Sequence, residues 1–371
     1  MADRADAEPT FVPGLVLAEG FYRDAVLPAL EGWRPDLEYS AALIGSGSEV
    51  LGFDTRMSTD HHWGPRVMLF FRQEVLDAHG PEIVAILGER LPRSYQGYPT
   101  SWSAPDPKDG GVQHLCPCAE GAVHHRVELH TLVGFFRVYL GTDGAPSCAA
   151  EWLTVPHQKL RSLCDGRVFR DDLGLEAVRA RLAWYPHDIS LYVLACAWSR
   201  IGEEEHLAGR AGLVGDEIGS FIISSRLVRE IMRLAFLMER VWPPYPKWFG
   251  TAFARLRCAP VLAPILTEVV HAHSWTERDG LLGKAFGVLA EMHNALGVTP
   301  RLDTVPSPFH GRPFTVIHGD RFAGALRNAI RDDEVRRIAS RRLIGSIDLV
   351  SDSTDLLEDT SRRTAFASLY Q

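Results

Sequence analysis

The chain has 371 residues, enough for two domains or one large one, and an apolar fraction of 46% that is ordinary for a globular protein. Its 39 basic and 47 acidic residues give a net charge of −8, which argues against non-specific nucleic-acid binding but leaves room for a local basic pocket for one nucleotide. No apolar run approaches the roughly 18–20 residues that span a bilayer, the charged N-terminus lacks an apolar signal core, and six cysteines in so long a chain do not make a disulfide framework, so a cytoplasmic protein with no membrane partner is expected.

Residues 12–31 read as the first helix, with Leu15, Leu17, Phe21, Val26, Leu27 and Leu30 near helical spacing and Gly32 and Pro35 to end it. Residues 39–44 lead into a turn, Gly45-Ser46-Gly47-Ser48, and a short helical approach. Such a turn exposes backbone N–H groups and a hydroxyl, a geometry that suits a triphosphate. A polar strand is expected over 58–63, ending in Asp60-His61-His62-Trp63, and the apolar run 67–71 reads as a buried central strand. Residues 81–91 look helical. Residues 126–136 resemble a further strand, with Val127, Leu129 and Thr131 on one face and Glu128 and His130 on the other.

The composition turns loop-like over 141–147, and a domain boundary is placed there, giving 1–145 and 146–371. After it strand signals nearly vanish. Residues 175–182, 189–200, 217–240, 248–256, 263–271, 278–296 and 322–330 all read as helices, with no internal repeat. The expected class is α+β: a small N-terminal α/β domain with a mixed sheet, then an all-helical domain, with the active cleft between them.

A Gly-Ser turn followed by an acidic strand is the layout of the nucleotidyltransferase (polymerase-beta-like) superfamily, whose signature is Gly-Ser, about ten residues, then Asp-x-Asp. Over nearly its full length the sequence also resembles one branch of that superfamily, the DUF4037 family. The resemblance rests on residues 45–60, Trp63-Gly64-Pro65-Arg66, Trp184-Tyr185-Pro186, Trp198-Ser199-Arg200-Ile201, Glu204-Glu205, Gly209-Arg210, Gly215-Asp216-Glu217, Arg226-Leu227-Val228-Arg229, Tyr245-Pro246-Lys247-Trp248, His293-Asn294, Arg312-Pro313-Phe314 and Ser353-Thr354-Asp355. It implies a nucleoside triphosphate substrate, Mg²⁺ or Mn²⁺ on carboxylates, and a phosphate-binding serine. Gly45, Ser46, Gly47 and Ser48 match that turn, with Ser48 better than Ser46 by its spacing to Asp60.

The superfamily draws two acids from the Asp-x-Asp strand and one from a neighbouring strand. Here Asp60 is retained, Glu128 is the candidate third acid and metal ligand, and His62 stands where the second acid belongs. Imidazole is a poorer Mg²⁺ ligand than carboxylate, so a two-metal site is weakened. His62 could instead serve as an acid–base group, or hydrogen-bond in a site that has lost transfer. A solvated edge position is the bland alternative for Glu128.

Arg226, Arg229 and Arg233 fall at i, i+3 and i+7 on one face of the 217–240 helix. With Lys247 and Arg210 they can neutralise phosphates in the cleft, or they can pair internally with Glu204, Glu205, Glu230 or Asp216. Tyr245 and Trp248 can stack on a base or fill a core. Asp348, Asp352 and Asp355 can cap helices. His114, Cys116, Cys118, His124 and His125 make zinc conceivable, but Cys-Pro-Cys is not a standard zinc spacing, and a polar hairpin over 101–123 explains the segment as well. Two readings stand: an enzyme transferring a nucleotidyl group to a small-molecule acceptor, or a divergent relative that binds a ligand or runs acid–base chemistry in a biosynthetic pathway.

Overall fold

The computed structural model describes residues 9–371, so the charged residues 1–8 lie outside the described residues. Two compact units emerge. One holds the chain up to Ala145 together with Lys159–Ala183; the other holds Pro146–Gln158 and Trp184–Gln371. The expected division at 145 therefore needs one correction: after the loop the chain contributes a further piece, 159–183, to the first unit.

The reason is a strand that the sequence pattern concealed. The first unit is built on a four-stranded mixed sheet of β1 (Ser40–Leu43), β2 (Arg66–Phe70), β3 (Arg126–His130) and β4 (Arg167–Asp171), in the order β3-β2-β1-β4. β1 pairs antiparallel with β2 and β4, whereas β2 and β3 run parallel. β4 is a short, charged edge strand, Arg-Val-Phe-Arg-Asp, which carries little of the apolar signal that marks an interior strand. Its last residue fastens it twice: Asp171 accepts from Ser40 Oγ at 2.8 Å and from the Leu175 and Glu176 N–H groups at the head of the next helix.

The first helical segment runs as Gly14–Phe21, a π-turn over Tyr22–Val26, and Leu27–Glu31. It packs with the helix Gln73–Arg90 on one face of the sheet. Phe21, Val26, Leu30, Ile83 and Leu87 meet Val67, Leu69 and Val127 in that core. Because side chains alternate along a strand, burying 67, 69 and 127 there turns Arg66, Met68, Phe70, Arg126, Glu128 and His130 to the opposite face. β3 ends earlier than expected. Thr131 caps a new helix, Leu132–Leu140, by accepting from Gly134 N at 3.0 Å, so the apolar residues 132–136 are helical rather than a continuation of the strand.

The second unit is helical apart from a two-residue pairing of Ser307–Pro308 with Thr315–Val316. Its long helices are His187–Glu204, Glu217–Glu239 and Trp275–Ala295, each overlapping an expected helix. Trp198 stacks on Phe322 of the helix Gly319–Ala329 at 4.2 Å between ring centroids. Glu205 fixes the head of that helix: its buried carboxylate accepts from the N–H groups of Ile317 (2.6 Å), His318 (3.2 Å) and Gly319 (3.2 Å). No helix among the described residues is long and apolar enough to cross a membrane.

Burial pushes the Glu205 carboxyl from 4.5 up to about 7, against the opposite pull of its three N–H donors. The native chain then holds this proton more tightly than the unfolded one, so the group's contribution to stability is full below the ordinary carboxyl range and is lost as pH rises toward about 7. Denaturant titrations at about pH 5 and pH 8 should show this loss in the wild type and a smaller one in Glu205→Gln. Glu205→Ala, which strands three donors, should cost about 3 kcal/mol or more.

Candidate active site

On the face of the sheet opposite the core lies a pocket of 320 Å³, lined by residues of the first unit that include Gly45, Ser46, Arg66, Arg126, Glu128 and His130, with Phe135 and Tyr139 as its aromatic wall. The parallel register of β2 and β3 sets Arg66 directly beside Arg126, Met68 beside Glu128 and Phe70 beside His130. Two guanidiniums in adjacent register positions repel unless each has its own counter-charge. Each does. Arg66 donates from Nε to Glu49 Oε1 at 2.8 Å, and Arg126 donates from Nε to Glu128 Oε1 at 3.2 Å.

The Gly-Ser turn stands at the pocket edge because Arg66 holds it there: Nη2 donates to the Ser46 carbonyl at 2.8 Å. Gly45 and Gly47 adopt φ of +87° and +150°, and a Cβ on Gly47 would come within 2.6 Å of both Arg66 Nη2 and Glu49 Oε2. Of the two serines, Ser46 rather than Ser48 lines the pocket, and its hydroxyl lies 3.4 Å from Tyr139 Oη. Ser48 closes the following turn instead, its carbonyl accepting from Phe53 N at 2.9 Å. Phe135 and Tyr139, one helical turn apart, stack at 5.5 Å with an interplanar angle of 9°. Lys159 Nζ sits 4.3 Å above the Tyr139 ring.

Glu128 accepts from Arg126 and, on its other oxygen, lies 3.4 Å from His130 Nε2. Burial alone raises its pKa, but the His130 hydrogen bond and the charges of Arg66 and Arg126 outweigh this and hold it down at about 2. It is therefore an anion throughout the physiological range and a weak base.

Asp60 is not among the residues that line this pocket. Asp60 ends a 3₁₀ turn, Arg56–Asp60, rather than lying on a strand. Its side chain is 64% exposed and pairs with His61 Nδ1 at 3.0 Å, outside the pocket lining. His62 has φ of +52° and donates its N–H to Gln113 O. Its Nδ1 lies 2.6 Å from Arg126 Nη1, and because a guanidinium can only donate, that nitrogen accepts. Burial, then the Arg126 charge, depresses the His62 pKa below 6.5, so the ring is neutral with its proton on Nε2. His62 positions Arg126.

The strand beside Glu128 offers Arg66 and Met68 to the pocket where an Asp-x-Asp pair would be needed. A hard divalent ion wants several anionic oxygens, and here one paired carboxylate faces two guanidiniums. These residues do not fit a two-metal centre. Among the described residues no group of three or more His, Cys, Asp or Glu side chains stands where it could hold a metal, the 114–125 segment included.

The remaining expected residues, Arg226, Arg229, Tyr245 and Lys247, lie in the second unit and find partners within it. Arg226 pairs with Glu204, Arg229 with Asp352 (Nη1–Oδ2 2.6 Å), and Arg233 with both Glu230 and Asp352. The internal ion-pair reading of the stripe describes what is seen. Lys247 lies over Trp248 at 4.5 Å, and Tyr245 meets the same ring at 6.0 Å. Arg66, Arg126, His130 and Tyr139 were not singled out as site residues. The polar face 126, 128, 130 was the one signal that could have found Arg126, and the position of Arg66 directly before the apolar strand could have found the other.

Residues 152–249 match the model of a family described as "Domain of unknown function (DUF4037)". Among solved structures it is similar to a nucleotidyltransferase-like protein from Exiguobacterium sibiricum 255-15, at 12% identity and a TM-score of 0.31, over 79% of this chain and 82% of that one. No match was found among curated proteins. The DUF4037 match covers Trp184, Tyr185 and the paired arginines but not the pocket of the first unit.

Replacing Arg126 by Ala should raise the His62 pKa toward its ordinary value and lift Glu128 from about 2, because both feel the Arg126 charge. Imidazole proton shifts followed by NMR across a pH titration read the first effect. An unchanged His62 titration would contradict the Arg126–His62 contact.

Proposed function

We infer that the first unit is a nucleotidyltransferase-like module whose pocket binds a nucleoside triphosphate. The phosphates would lie against Arg66, Arg126 and the Gly45-Ser46 backbone, and the base against Tyr139 and Phe135. The observation that carries this reading is the in-register pair of guanidiniums on the floor of a pocket with a stacked aromatic wall. Planar guanidiniums match phosphate oxygens in paired fashion, and a ring face accepts any base. A volume of 320 Å³ is at the lower end of small-ligand pockets, room for phosphates and one ring.

Phosphoryl and nucleotidyl transfer are mostly positioning and charge neutralisation. In this pocket the positive charge comes from arginines, and no second acid stands beside Glu128 to hold a pair of ions. The function supported best is therefore nucleotide binding. Transfer to a small-molecule acceptor rests on guanidinium charge rather than on two Mg²⁺ ions, and Mg²⁺-driven turnover is expected to be weak. Nothing in the pocket selects a base.

Thermal melts with ATP, GTP, CTP and UTP test the reading. Ligand at about 100 times its Kd stabilises by about 2.7 kcal/mol, on the order of 3 °C for a chain of this size. The shift should appear with at least one nucleotide, shrink in Arg126→Ala, and survive in Asp60→Ala and Arg229→Ala. No shift with any nucleotide at millimolar concentration, or loss of the shift in Asp60→Ala, would contradict it.

A further inference from the structure

The second unit contains a larger cavity, of 980 Å³, that the nucleotide reading does not use. Four segments wall it, one of them the short helix Ile347–Val350 with Leu349 and Val350. The helix Gly319–Ala329 contributes Asp320, Ala323, Gly324 and Arg327, which share one helical face. The helix His187–Glu204 contributes Ser199, Arg200 and Glu203, and the loop 340–344 contributes Arg341 and Arg342. Small residues make the room: a Cβ added at Gly324 would meet nothing within 4 Å.

Four guanidiniums therefore ring one cavity against two carboxylates, Glu203 and Asp320. Only Arg200 is tied down, with Nε 3.1 Å from Glu204 Oε1, a carboxylate that also takes Arg226. Among the described residues the guanidiniums of Arg327, Arg341 and Arg342 have no carboxylate partner. This contrasts with Arg226, Arg229 and Arg233 of the same unit, all of which are paired. Arg327, Arg341 and Arg342 are solvent-exposed, and unpaired like charges gathered around one concave surface raise the local potential and favour an anion with several charges. Leu343, Ile344 and Leu349 give the same cavity an apolar side.

We propose that this cavity is a second binding site, for a small molecule carrying two or more phosphate groups, held by Arg327, Arg341 and Arg342 with Arg200 behind them. The phosphates sit on the guanidiniums, and the uncharged part of the ligand lies along Leu343 and Ile344. Glu203 and Asp320 accept from ligand hydroxyl or amino groups. A volume near 1,000 Å³ is the upper end of small-ligand sites and accommodates a ligand of nucleotide size.

Inorganic tripolyphosphate is the probe, titrated calorimetrically into the full chain carrying Arg126→Ala, so that failure of the first site and failure of this one are read separately. Binding is expected in that background. Arg327→Ala with Arg342→Ala removes two charge-assisted contacts and should weaken it by more than the roughly tenfold that one such contact is worth. Gly324→Phe, which points a ring into the open side of the helix, should block it while circular dichroism stays unchanged. Raising the salt from about 50 to 300 mM should weaken it further. Absence of tripolyphosphate binding, or binding that both variants leave intact, overturns the proposal. So does tighter binding of a single-stranded RNA oligomer with the same arginine dependence, which would make the cleft a nucleic-acid surface.

Discussion

A buried ion pair, Arg66 with Glu49, is the contact on which the candidate site depends. Their side chains are 8% and 3% exposed, and the same guanidinium also holds the Ser46 carbonyl. One side chain at the start of β2 thus fastens the turn that follows β1. Breaking a buried pair by removing one partner typically costs about 3–5 kcal/mol, because the other charge is left stranded. The geometry of the turn follows from this contact. Gly47 lacks a side chain where Arg66 and Glu49 already occupy the space, and its φ of +150° is open to glycine at no cost.

The second arginine repeats the logic one strand over. Arg126 sits in register with Arg66 and is balanced by Glu128, while His62 Nδ1 accepts a hydrogen bond from its Nη1 and His130 sits on the far oxygen of Glu128. The pocket floor is in this way a network of charges satisfied from within, with N–H donors left to face a ligand. Such a floor suits anions and opposes cations. A site that relies on divalent ions would place carboxylates at these strand positions, and guanidiniums there invert the local field.

Much of the fold was legible because it follows from period. The apolar run at 67–71, the alternation at 126–130 and the long helical repeats of the second unit all describe buried faces, and burial is what periodicity reports. The Glu128 face was read correctly for the same reason. Asp60 failed because its place was inferred from distance along the chain. The segment before it is short and polar, and Thr55 and Ser58 satisfy each other's backbone N–H groups, which closes a 3₁₀ turn where a strand was expected. The partners of the arginine stripe were only partly legible. Glu204 and Glu230 lie near in sequence, but Asp352, which takes both Arg229 and Arg233, lies 123 residues from Arg229 and could be found only from the fold. Strand β4 was hidden by its charged, edge-like sequence.

The central claim is that guanidiniums, not divalent ions, supply the positive charge for the nucleotide's phosphates. Calorimetric titration of ATP into a chain carrying Arg327→Ala and Arg342→Ala, once in EDTA and once with excess Mg²⁺, tests it most directly. If Arg66 and Arg126 carry the phosphates, ATP binds in EDTA, and Mg²⁺ weakens binding by neutralising the same oxygens. Binding that is absent in EDTA and appears only with Mg²⁺ would contradict the account.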